Sequence, residues 1–184
     1  MEDELDLIIE STEESMQNAI GHLEKQLLNI RAGKATPSML GGVMVEYYGS
    51  QTPLSQVANI NTPDARTLSI QPFEKSLIHE IEKGILHANL GFNPMNNGEN
   101  VIINVPPLTE ERRRELAKQA KAIAEDAKVG VRNDRKTANQ ELKKVDASED
   151  AKKGVEDEIQ KLTDRYIARI EEIFAVKEKE IMTV

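Results

Sequence analysis

The sequence contains no cysteine. That excludes disulfides, thiolate nucleophiles and cysteine-ligated metals, and it fits a reducing compartment. No apolar run approaches the ~18 residues of a membrane span. The N-terminal stretch MEDELDLIIESTEE is acidic, unlike the basic region that opens a secretory signal. These absences predict a soluble, unexported chain that works in the cytoplasm and away from membranes. Phosphate-cradling spacings are missing as well: Gly41, Gly42 and Gly91 fall in neither a GxxxxGKS/T nor a GxGxxG pattern. His22, His79 and His87 lack metal-spaced partners on their own helix faces, so surface or structural roles are expected for them, with no metal and no cofactor. The many carboxylates have bases three or four residues away, as on solvated helices. No catalytic constellation assembles from these residues, and the chain is expected not to be an enzyme.

What the chain does have is helix. From Thr109 to Val145, Leu116, Ala120, Ile123, Ala127, Val131, Ala138, Leu142 and Val145 recur at spacings of three and four, with Asp134 in the one seam position where an apolar residue is missing. This is the stripe of a helix packed lengthwise on others. Buried and unpaired, Asp134 would be costly, so it should be half exposed or paired, with Tyr166 or an arginine as partner. Thr109 is a good N-cap, with Glu110 and Glu111 at the positive end of the helix dipole.

The segment up to Ile30 repeats Met16, Ile20, Leu23, Leu27 and Ile30. After a break at Asp146-Ala147-Ser148, capped by Ser148, a last helix shows Val155, Ile159, Leu162, Tyr166, Ile170 and Ile173. Three matching seams predict an antiparallel three-helix bundle. Between them, residues 31–106 hold six of the seven prolines. Short β-branched runs there predict strands at Val43–Tyr48, Leu54–Ile60, Thr67–Gln71 and Val101–Val105, with turns at Tyr48-Gly49-Ser50 and Asn96-Asn97-Gly98. Residues 76–90 read as one helix with Leu77, Ile78, Ile81 and Ile85 on a face and Gly91 as its cap. The fold class is thus mainly α with a small α+β domain: a bundle from residues 1–30 and 107–184, and a β/α/β insert over 31–106 whose two ends must lie close together.

Charge is distributed unevenly. The net charge is -8, yet residues 110–136 carry nine bases against six acids. Arg114, Lys118, Lys121, Glu125, Lys128, Arg132 and Arg135 form a second stripe on the long helix, about a third of a turn from the apolar seam. Exposed cations ordinarily serve solubility. Two details favour RNA: acids crowd the other two helices but almost avoid this face, and arginine, which forks onto phosphate, concentrates at Arg132 and Arg135. A-form RNA offers phosphates and 2′-hydroxyls to such a rod by shape. Arg31, Gly33 and Lys34, where the insert begins, could extend the patch. The competing reading is an oligomeric helical adaptor whose faces bind other proteins.

Several segments resemble the bacterial ribosome recycling factor family: Arg31-Ala32-Gly33-Lys34-Ala35-Thr36-Pro37, Val45-Glu46-Tyr47-Tyr48-Gly49, Pro106-Pro107-Leu108-Thr109-Glu110-Glu111-Arg112-Arg113, Val131-Arg132-Asn133-Asp134-Arg135-Lys136 and Gln160-Lys161-Leu162-Thr163-Asp164. The resemblance spans the whole chain. It implies an L-shaped, monomeric, non-enzymatic factor that binds the post-termination ribosome. With elongation factor G and that partner's GTP it would split the ribosome into subunits, releasing mRNA and tRNA. It also implies that Arg132, Arg135 and Arg31 contact large-subunit ribosomal RNA; Lys121, Lys128 and Lys34 join them from the charge pattern. The insert would swing about Arg31, Ala32 and Gly33 on one strand of the junction and Val105, Pro106 and Pro107 on the other. Lysine in place of the family's arginine at 34 and 136 keeps the charge but loses the fork.

Overall fold

The computed structural model describes residues 2–183. The chain divides into two compact units: residues 1–32 with 109–184, and residues 33–108. These boundaries lie two residues beyond the ones read from the end of the first apolar seam at Ile30 and from Pro106-Pro107.

The first unit is a bundle of three helices, α1 (Glu2–Leu28), α3 (Glu110–Lys144) and α4 (Glu149–Met182), all packed on one another. The second unit, which lies between them in sequence, contains α2 (Ile78–His87). At 35 residues, α3 is about 52 Å long. Both expected caps form: the Thr109 hydroxyl accepts from the Arg112 N–H at 3.1 Å and the Ser148 hydroxyl from the Ala151 N–H at 3.2 Å. The short break between α3 and α4 makes them antiparallel neighbours. Leu5 and Ile8 of α1 pack with Ala138 and Leu142 near the end of α3 and with Val155 and Ile159 near the start of α4. Helix α1 therefore runs against α3 and alongside α4.

The α1 seam extends further towards the N-terminus than the apolar pattern indicates, because Thr12 occupies a core position at 5% exposure. Its hydroxyl returns a hydrogen bond to the Ile8 carbonyl, and Thr163 does the same to Ile159 at 2.8 Å, so neither buried hydroxyl is orphaned. In α3, Leu116, Ala120, Val131, Ala138 and Leu142 are buried as expected, but Ala124 is buried too, while Ile123 and Ala127 are only half-buried. A helix with two neighbours buries a stripe wider than a single seam.

The second unit carries a hairpin, β1 (Met44–Tyr47) with β2 (Ser50–Pro53), and an antiparallel sheet in the order β3-β4-β6-β5. Its strands are β3 (Ala58–Asp64), β4 (Thr67–Pro72), β5 (Met95–Asn96) and β6 (Val101–Asn104). The expected strand over 54–60 is corrected: Leu54–Gln56 is a 3-10 turn, and β3 starts at Ala58 and runs on through Pro63. Proline is tolerated there because β3 is an edge strand whose pairing shifts between Asn61 and Asp64. The hairpin turn places Tyr48 at φ 47° and Gly49 at φ 83°, the left-handed pair that a two-residue loop needs. Helix α2 is shorter than expected, with a 3-10 turn at Lys75–Leu77 before it. Asn89, at φ 52°, takes the left-handed position just past its end, ahead of Gly91. The α2 face of Ile78, Ile81 and Ile85 joins Leu68, Ile70, Val101 and Ile103 of the sheet in one core.

The two ends of this unit are tied to one turn. The Ala35 N–H donates to the Ala65 carbonyl at 2.8 Å and the Val105 N–H to the Arg66 carbonyl at 2.7 Å. Asp64 caps that turn, accepting from the Arg66 N–H and from the Thr67 hydroxyl, each at 2.9 Å. The backbone N–H of Arg66, and after it the Thr67 hydroxyl, hold the Asp64 carboxyl below its ordinary range. Entry and exit thus lie together, as the insertion requires.

Candidate nucleic-acid interface

Helix α3 displays its cations in three states. Arg114 is paired with Glu110 at 2.6 Å and Arg112 with Glu115 at 3.0 Å, both along the first turns of the helix. Lys128 is clamped by Glu125 at 3.3 Å and by Glu171 of α4 at 3.2 Å, and its side chain is only 15% exposed. Among the described residues, no carboxylate lies within 4.0 Å of Lys118, Lys121, Arg132, Arg135 or Lys136. Arg132 is exposed, and no side-chain hydrogen bond engages it. Arg135 is half-buried and donates from Nη1 to Gln160 Oε1 of α4 at 3.1 Å, a neutral acceptor that leaves its charge uncompensated.

The row therefore alternates: Arg112, Arg114 and Lys128 are neutralised locally, while Lys118, Lys121 and the cations Arg132, Arg135 and Lys136 are not. Phosphate contact requires charge that is not already spent on carboxylates. Beside the last three the α3–α4 surface forms a groove of about 530 Å³ in which Arg135, Lys136 and Lys143 of α3 face Glu156, Asp157 and Gln160 of α4, so its charge is mixed. Asn139, also on the groove, has its Oδ1 buried without a partner. Lys121 is exposed. Arg31 is exposed in the first unit and Lys34 is exposed in the second.

At the junction, Gly33 has φ 79°, and a Cβ there would approach the Leu108 side chain to 2.9 Å. Ala32 is half-buried, Pro106 and Pro107 are exposed, and Val105 is buried in the core of the second unit.

Asp134 is half-exposed, and among the described residues it has no hydrogen bond or ion pair. The expected partner Tyr166 instead donates to Glu13 at 3.4 Å, where Arg165 also binds, at 2.9 Å. Burial pushes the Asp134 carboxyl above its ordinary value. Its charged form is thus the disfavoured one. The folded state holds this proton more tightly than the unfolded chain does, so stability from this group falls as pH rises from the unfolded towards the folded pKa and stays low above it. Asp134→Asn should stabilise the bundle at pH 7, by no more than about 0.5 kcal/mol because solvent screens this partly exposed group. The gap from wild type should close below the unfolded carboxyl pKa in urea melts followed by helical circular dichroism. A gap that is constant with pH would show that charge is not the cause.

The histidines His22, His79 and His87 are all exposed, and no cluster able to hold a metal occurs among the described residues. None of the described helices is long and apolar enough to cross a membrane. Pattern reading missed Gln160 and Asp164 as neighbours of the cationic face. Their four-residue spacing on α4 and their distance from the α3–α4 turn were the available signals.

Comparison with known proteins gives consistent matches. The family model described as Ribosome recycling factor matches residues 23–182. The chain is 76% identical over 182 residues to the ribosome-recycling factor of Christiangramia forsetii, with 99% of this chain and 100% of that protein covered. It is 50% identical to that of Bacillus licheniformis, with 96% and 98% covered. Among solved structures, a solution structure of the ribosome recycling factor matches with TM-score 0.74 and 37% identity, covering 98% of each chain. A second match, with TM-score 0.60, 41% identity and 97% and 99% covered, comes from models for the T. thermophilus ribosome recycling factor and the E. coli elongation factor G bound to the E. coli post-termination complex.

Proposed function

Since the chain belongs to the ribosome recycling factor family, we propose that it acts on the ribosome after termination and, with elongation factor G and GTP, separates the subunits and releases mRNA and tRNA. The bundle docks on large-subunit ribosomal RNA through α3. Arg132 and Arg135 make the principal contacts, Lys121 extends the row, and Arg31 and Lys34 add charge from the junction. Lys128, held by two carboxylates, contributes mainly if RNA displaces them. The single observation that carries this reading is that Arg132 and Arg135, with Lys118, Lys121 and Lys136 on the same helix, have no carboxylate partner among the described residues, whereas Arg112, Arg114 and Lys128 are paired. The chain supplies no chemistry and needs no cofactor of its own: the energy comes from GTP hydrolysis by the partner. It works as a monomer in the cytoplasm.

Movement follows from the junction residues. Arg31, Ala32 and Gly33 on one strand, and Pro106 and Pro107 with Val105 at the end of the second unit, are where one unit can turn relative to the other under load. Gly33 supports this, because its left-handed φ is open to glycine and strained for other residues. Light scattering of post-termination ribosomes should fall only when the chain, elongation factor G and GTP are all present. A variant with its two units covalently tethered should still sediment with large subunits yet give no fall. Normal splitting by the tethered variant would remove the hinge from the mechanism.

A further inference from the structure

Arg135 is held by an amide rather than an acid, and the amide is itself held. Gln160 Oε1 accepts from Arg135 Nη1 at 3.1 Å, and Gln160 Nε2 donates to Asp164 Oδ1, one turn along α4, at 2.9 Å. The orientation of this carboxamide follows from donor and acceptor chemistry. A guanidinium only donates and an ionised carboxylate only accepts, so the NH2 end must face Asp164 and the oxygen must face Arg135. We propose that Gln160 and Asp164 are positioning residues for Arg135, a relay that orders its guanidinium for RNA while leaving its charge unspent. The proposal rests on the reading of α3 as the RNA face.

The contrast within the same helix supports the relay. Lys128 meets Glu171 of α4 directly, and its charge is compensated by that carboxylate and by Glu125. At Arg135 the acid stands one amide further away. An incoming phosphate replaces or shares a neutral hydrogen bond instead of breaking an ion pair, and the arginine loses less rotamer freedom on binding because it is already ordered. Asp164 fixes the sense of the amide. Without it Gln160 can turn its NH2 towards the guanidinium, where two donors face each other and the tether is lost.

This arrangement makes a prediction of unusual sign. Asp164 is exposed and acidic, so on charge alone Asp164→Asn should tighten binding to RNA. The relay requires the opposite: an asparagine can donate as well as accept, the amide is no longer constrained, and affinity for large ribosomal subunits should weaken about threefold, the range of one neutral hydrogen bond. Gln160→Glu should weaken binding further by pairing directly with Arg135, and should lower the slope of log affinity against log salt by about 1. Arg135→Ala should weaken binding about tenfold, the range of a charge-assisted contact. In that background Asp164→Asn should have no further effect.

The measurement is equilibrium binding of the full chain to purified large subunits across a salt series, with helical circular dichroism of each variant as the folding control. Unchanged or tighter binding by Asp164→Asn, alongside a loss in Arg135→Ala, overturns the relay and leaves the RNA face standing. No loss in Arg135→Ala overturns the placement of Arg135 itself.

Discussion

Arg132→Glu is expected to weaken binding to large ribosomal subunits by about a hundredfold at low salt while leaving the bundle folded. Arg132 is exposed, and among the described residues no carboxylate pairs with it, so its removal disturbs nothing inside the protein. On the proposed docking the substitution removes one charge-assisted phosphate contact, a loss of about 1.5–3 kcal/mol, and adds a repulsive charge in its place. Co-sedimentation at salt concentrations from about 50 to 200 mM provides the check, since phosphate contacts make affinity fall steeply across that range and the variant should show a shallower fall. Arg132→Lys keeps the charge and loses the fork, so it should fall between the two. Binding by Arg132→Glu equal to wild type would take Arg132 out of the interface and favour a helical adaptor, for which this face is indifferent.

Much of the fold was legible because its signals are local. The seams of α1, α3 and α4, the caps at Thr109 and Ser148 and the left-handed turn at Tyr48-Gly49 depend on residues a few positions apart. Insertion of the second unit followed from the proline-rich change in composition. What was not legible depends on register between segments distant in sequence. Strand β2, Ser-Gln-Thr-Pro, has no apolar alternation and exists because β1 pairs with it. Lys128 looked like its neighbours in the cationic stripe, and only the approach of Glu171 from α4 distinguishes it. Gln160 faces Arg135 because α3 and α4 turn back on each other near Ala147, which puts positions at similar distances from the turn side by side. Asp134 was visible as an interruption in the seam, but its lack of a partner could not be read from spacing, because Tyr166 was equally available to Glu13.

Gly84→Ala is expected to be the most damaging single-methyl substitution in the second unit. Gly84 is buried in α2, and a Cβ there would fall inside van der Waals contact of the Met44 carbonyl oxygen of β1, with Val43 Cγ1 at 3.5 Å. The obstacle is backbone rather than the end of a flexible side chain, so helix and hairpin must separate to admit the methyl group. Overpacking of this kind costs about 1–3 kcal/mol. The helix-propensity gain of about 1 kcal/mol for alanine over glycine offsets only part of it. Gly154 supplies the control: it is exposed in α4, and a Cβ added there would meet nothing within 4 Å, so Gly154→Ala should stabilise the bundle by up to about 1 kcal/mol. The same substitution thus has opposite signs in two helices, and urea unfolding followed by circular dichroism reads both. The functional consequence separates the units. If α3 supplies most of the docking on RNA, Gly84→Ala should retain most of the binding to large subunits and lose splitting with elongation factor G, because in the proposed mechanism the second unit carries the load. Parallel loss of binding and splitting would mean that the second unit takes part in docking.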